Sequence, residues 1–187
     1  MKRYMDRVPI ISRPQLFDRV IADIQRGLAD NLAWLDHSFG RAWRLSKMVN
    51  GRREYTPNVY IGNNEYLPVM PDEGLGNFSF FVLSDPQDIE WSAHVQSLMT
   101  APFSLIVWVD VRTITDDRNT EQIKAEILDA LGRTLVRDGS FEITRISEHA
   151  ENVYKGYTLD EVDNQFLMHP FAGFRFDGVL RTKQPCM

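Results

Sequence analysis

The most enzyme-like arrangement in the chain is a set of three aspartates. Asp110 closes an alternating apolar segment, and Asp116 and Asp117 follow in the next turn. Carboxylates at strand ends can hold Mg2+ for phosphoryl chemistry, which would make this a metal-dependent hydrolase or nuclease. No lysine or glutamate stands at a companion spacing, so turn-forming aspartates ahead of a helix are the favoured reading. Glu148, His149 and Glu151 offer oxygen and nitrogen ligands close together, yet a catalytic zinc needs a third protein ligand and an open position that the sequence does not locate. Asp36 and His37 would act as orienter and base only if the fold bent them together, because neighbours on a helix point apart. A solvated pair at a helix end is the expectation there. Gly74-Leu75-Gly76 runs into Asn77, Phe78 and Ser79 with no third glycine and precedes a strand pattern, so it fails as a phosphate loop. Walker A, G-x-S-x-G and H-E-x-x-H patterns are absent. The residues therefore predict no catalytic, cofactor-binding or metal-binding set, and no cofactor.

The elements that would carry such groups read as an α+β fold: one mixed or mainly antiparallel sheet with a long N-terminal helix, a second amphipathic helix and a protruding β-hairpin. Ser12-Arg13-Pro14-Gln15 has the form of a capping box with proline in the first turn. Leu16, Val20, Ile24, Leu28, Leu32 and Leu35 then recur at helical spacing as one apolar stripe. Gly27 in the middle costs roughly 1 kcal/mol relative to alanine and marks a break or a close approach.

From Phe39 the period becomes two, and Asn50-Gly51 signals a type I′ hairpin, since both turn residues tolerate positive φ. That turn sets Val49 opposite Arg52, Lys47 opposite Glu54 and Leu45 opposite Thr56, with opposite charges facing. Pro57 inside the returning strand marks the ribbon, about 39–61, as an edge or arm. Residues 62–76, with Pro68, Pro71, Gly74 and Gly76, read as a long loop. Residues 77–83 read as a strand, and 85–100 show no decisive period. At 103–111 both phases are largely apolar, as in a central strand covered on both faces. Ile123, Ile127, Leu128, Leu131 and Leu135 predict an amphipathic helix from Thr120 to about Val136. Residues 141–147 read as a strand. A second capping box at Thr158-Leu159-Asp160-Glu161 starts a short helix to about Leu167, Pro170 stops it, and 174–181 alternate as a closing strand.

At 187 residues the chain fits one domain, 1–187, burying roughly 70% of its extended surface. A hydrophobic fraction of 43% excludes global disorder. The single cysteine, Cys186, cannot build a disulfide framework or a thiolate metal site, so a reducing compartment is expected. Neither an apolar leader core nor a membrane-length apolar run is present. A net charge of −5 disfavours a primary nucleic-acid-binding role, and the basic group Arg41, Arg44, Lys47, Arg52 and Arg53 reads first as solvated strand and turn positions. The many aromatics on strand patterns exceed the needs of one core and suit a subunit interface.

The order of elements, together with the run Asp163-Asn164-Gln165-Phe166-Leu167-Met168-His169-Pro170-Phe171-Ala172-Gly173-Phe174-Arg175-Phe176 leading into Asp177-Gly178-Val179-Leu180, resembles the structural proteins of phage and prophage tail-terminator or tail-completion type. That resemblance implies a non-enzymatic virion subunit in a homo-oligomeric ring, often hexameric. The ring would cap a tail tube or join it to the head connector, assembling in the bacterial cytoplasm with tail-tube or connector proteins as partners. It implies no membrane and no direct sequence-specific nucleic-acid contact. The family supplies no catalytic motif to carry over. The arm and the loop after it are the segments expected to reach neighbours, with Trp43, Lys47, Asn50, Gly51, Arg52, Arg53 and Glu54 as assembly contacts. The rivals are the Asp110, Asp116, Asp117 hydrolase and a binding module of a bacterial mobile element that uses the loop as its contact surface.

Overall fold

The computed structural model describes residues 6–71, 73–90, 96–114 and 119–185. The fold is α+β, with an eight-stranded mixed sheet in the order β3-β2-β1-β4-β6-β8-β7 and a short β5 (Asp88–Glu90) that also pairs with β6. Its spine is β6 (Gln96–Asp110), flanked by β4 (Phe78–Leu83) and β8 (Phe171–Pro185), both antiparallel to it. Residues 103–110 of the spine are all buried, because both phases of this strand are apolar enough to be covered. β7 (Gly139–Ser147) closes one side of the sheet against β8. On the other side β1 (His37–Val49) enters parallel to β4 and then turns back through β2 (Arg52–Gly62) and β3 (Glu65–Pro68).

Each face of the spine has its own core. Leu105, Val107 and Val109 lie under α1 (Phe17–Asn31) and α2 (Thr120–Arg133), together with Val20, Ile24, Leu28, Ile123 and Ile127. Ile106 and Trp108 point the other way, into Phe78, Phe80 and a cover made by α3 (Ala150–Val153), Tyr154 and Leu167, which follows α4 (Glu161–Gln165). Each such side chain taken from water contributes on the order of 1.5–3 kcal/mol. The indole N–H of Trp108 donates to the Phe166 carbonyl, as a buried indole requires, whereas the buried Tyr154 hydroxyl in the same layer has no hydrogen-bond partner among the described residues.

Several expected boundaries move. Ser12 does not cap α1: Arg13 and Leu16 both take positive φ, the N-cap position is Leu16 without a side-chain bond, and the helix starts at Phe17. It ends at Asn31, and Leu32 and Leu35 stay buried in the turn that follows. Gly27 is a close approach: a Cβ there would stand 2.0 Å from Oγ1 of Thr134, at the end of α2. α2 is capped by a reciprocal Asn119–Gln122 box and stops at Arg133; Leu135 lies beyond its end and Leu128 lies off its buried face of Ile123, Ile127, Ala130 and Leu131, so both are exposed. The cap of α4 lies two residues beyond the expected one, between Asp160 and Asp163, and Thr158 bonds elsewhere.

The expected 62–76 loop is largely structured. Asn63 and Asn64 both take positive φ and turn the chain into β3, and residues 73–75 form a 3-10 turn. A two-asparagine turn supplies what a glycine would, and so escapes a reading that looks for Gly and Pro.

Candidate assembly arm and the cleft at its base

The hairpin forms in the register that its turn dictates: Val49 faces Arg52, Lys47 faces Glu54 and Leu45 faces Thr56. Asn50 and Gly51 hold φ of 49° and 76°, the pair of positive values that a type I′ turn demands. Beyond Arg41, β1 has lost β4, so residues 42–57 extend as a two-stranded ribbon. All seven expected contacts, Trp43, Lys47, Asn50, Gly51, Arg52, Arg53 and Glu54, lie on this ribbon.

Local interactions hold the arm in shape. Lys47 and Glu54 approach to 3.7 Å, and the guanidinium groups of Arg41 and Arg44 sit 4.2 Å and 3.8 Å from the ring centres of Trp43 and Tyr55. Exposed contacts of these kinds contribute at most about 1 kcal/mol each. The β2 edge is pinned as well: the Tyr55 amide donates to Thr158 Oγ1, and the Thr158 amide donates to the Tyr55 carbonyl. From Asn58 onward β3 covers that edge. Pro57 turns its carbonyl outward to the Val69 amide, so its missing N–H also points away from β1 and leaves the pairing with Arg44 intact.

Among the described residues no core covers the large apolar side chains of the arm. Trp43, Leu45 and Met48 are 46%, 52% and 65% exposed, and Tyr66 on the neighbouring β3 is 48% exposed. Where β1 parts from β4, the gap is a cavity of about 370 Å3 lined by Arg41, Arg44, Val82, Asp85, Lys155 and Tyr157, among others. Burial pushes the Tyr157 phenol up to about 12, against the opposing charges of Arg175 and Arg44.

The other chemistry-bearing residues are engaged in structure. Asp110 takes Arg112 by both carboxylate oxygens, at 2.9 Å and 2.8 Å, and the Arg112 hydrogen bonds hold it below the usual carboxylate range. Asp116 and Asp117 lie outside the described residues. Asp36 is not the end of a helix: it lies in the turn before β1 and accepts the Asn77 amide at 2.8 Å. Gly76 is required there, with φ of 68° and a would-be Cβ 2.5 Å from the Asp36 carboxylate. Glu148 pairs with Lys124, and the His149 carbonyl accepts from the Asn152 and Val153 amides of α3. Among the described residues no group of three or more His, Cys, Asp or Glu is placed to hold a metal ion.

Two polar centres carry no local sequence signature. The Asn77 side chain, buried beside the arm's root, donates to the Trp34 carbonyl and Thr113 Oγ1 and accepts the Asp110 amide. Ser104, Arg175 and Asp177 bond to one another on the spine, with Ser104 donating to Asp177 at 2.6 Å. Apart from Arg175 and Asp177, which are two residues apart, the partners are 33 to 73 residues away in sequence, so only the register of the sheet could have revealed these centres. No known protein family matches this chain, and no curated protein is significantly similar to it.

Proposed function

We propose that this chain is a non-enzymatic structural subunit forming a homo-oligomeric ring, of the kind found at the end of a phage or prophage tail or at its junction with the head. One observation carries the reading: three large apolar side chains stand exposed on a ribbon held by contacts within it and by the hydrogen bonds between Tyr55 and Thr158. Leaving one such side chain in water forgoes on the order of 1.5–3 kcal/mol, and a covering neighbour recovers it. Aromatic and methionine side chains with arginine are also the composition of interface centres. The phage assignment is supported by the resemblance in element order and in the 163–180 segment, with tail-tube or connector proteins as further partners.

The arm supports this reading better than the acidic turn supports hydrolysis, because Arg112 already occupies both oxygens of Asp110. Native mass spectrometry and negative-stain imaging, on the chain alone and mixed with tail-tube protein, test it. A closed oligomer of uniform size is expected. A monomer under both conditions contradicts the reading.

A further inference from the structure

The charge on the arm is at odds with the charge on the rest of the molecule. Residues 41–54 carry five basic residues and one acidic, a net charge of +4 on a chain whose total is −5. Two such arms repel each other, so a symmetric arm-to-arm contact is disfavoured. The arm's partner surface must be acidic, and it must lie elsewhere on the molecule.

β5 and its approach fit that requirement. β5 carries Asp88 and Glu90 and no basic residue, and all its positions are exposed; Asp85, ahead of it, lines the cleft beside the same copy's Arg41 and Arg44. Ile89 stands between the carboxylates, 58% exposed. None of the three carboxylates makes an ion pair with a described residue. β5 pairs with β6 alone, and the other side of β6 belongs to β8, so the outer edge of β5 has no strand beside it among the described elements.

The arm has a matching edge. In a two-residue hairpin the residues flanking the turn, Val49 and Arg52, form a hydrogen-bonded pair. By alternation Ala42, Arg44, Ser46 and Met48 turn their amides and carbonyls away from β2, toward the side that β4 has left. Both surfaces are therefore open strand edges with an exposed apolar residue, and their charges are opposite.

We propose that the arm of one copy docks along the β5 edge of the next copy, basic and apolar side chains of residues 41–54 meeting Asp88, Ile89 and Glu90. The contact joins two different surfaces, so it propagates head to tail and closes into a ring when the rotation permits. This deepens the ring reading and rests on it. The partner is a second copy of this chain.

Sedimentation velocity with two charge-reversed variants tests the contact. Lys47→Glu with Arg52→Glu and Arg53→Glu takes the arm from +4 to −2, and Asp88→Lys with Glu90→Lys makes the edge basic; all five side chains are exposed, so folding is expected to be untouched and circular dichroism checks it. Each variant alone is expected to need at least about 100-fold higher concentration to assemble than the wild type. An equimolar mixture is expected to recover wild-type assembly, because each reversed arm then meets a reversed edge in an alternating ring. Wild-type assembly with both variants unaffected, or with no recovery on mixing, overturns the arm-to-edge contact while the ring reading stands. A wild type that stays monomeric at every concentration overturns both.

Discussion

The spine strand β6 and the outer halves of β1 and β2 obey the same alternation of side chains and finish in opposite surroundings. In the spine both phases are buried, Leu105, Val107 and Val109 under two helices and Ile106 and Trp108 under the 150–170 segment. In the arm neither phase is covered: Trp43 and Leu45 face solvent on one side and Met48 on the other. Large apolar residues therefore do different work in the two places. In the spine they hold the fold together, whereas in the arm they add little to the stability of the lone molecule, since a two-stranded ribbon is marginal by itself. Stability and assembly should accordingly separate under mutation.

The spine provides the largest expected effect. Trp108→Ala removes a fully buried indole stacked on Phe78 and Phe171 and should cost about 3–5 kcal/mol, read as a drop in urea midpoint at unchanged slope. A loss under about 1 kcal/mol would mean that the second core is not packed as described.

The joint between the two regions comes next. Asn77→Ala leaves the Asp110 amide, the Trp34 carbonyl and Thr113 Oγ1 each without one of its hydrogen bonds, and should cost roughly 1–3 kcal/mol by chemical denaturation. Thermal melts of Asn77→Asp, which turns a carboxylate toward the Trp34 carbonyl and Thr113 Oγ1 beside Asp36, should fall at or below those of Asn77→Ala.

A smaller effect is expected at His37, at the root of β1. Burial holds its imidazole below the usual value, against a hydrogen bond to the Asp6 backbone and the charge of Asp36, with the Arg7 charge acting in the same sense as burial. Its Nδ1 is buried with no partner among the described residues. The unfolded chain binds this proton more readily than the native one. The contribution is thus complete above the unfolded value near 6.5 and is lost as pH falls through the lower folded value. Melting temperature should decline from pH 7.5 to 5.5 in the wild type and decline less in His37→Gln; equal slopes would remove His37 from the account.

How much of this was legible in the sequence follows from how local each determinant is. The arm's register came from Asn50-Gly51, because a two-residue turn fixes its flanking pairs. The spine came from two apolar phases in one strand, and α2 from its period. β3 was missed because Asn63 and Asn64, both at positive φ, form its turn, while Gly62 ahead of them reads as the opening of a loop. The α1 start was misplaced because backbone strain at Arg13 and Leu16 overrides a well-formed capping pattern. The cover over Trp108 was invisible, since Leu167 reads as a helix end and no local pattern marks Tyr154 until the fold brings them together. At the candidate site the exposure of Trp43 and Leu45 was open to either reading, because alternation shows which residues share a face and not whether anything covers it.

The most direct test of the separation is sedimentation velocity on a variant carrying Trp43→Ser, Leu45→Ser and Met48→Ser, with its unfolding curve measured alongside. The account predicts a stability within about 1 kcal/mol of wild type and a monomer where the wild type forms its oligomer. A variant that assembles as the wild type does, or a loss of stability as large as that of Trp108→Ala, would contradict it.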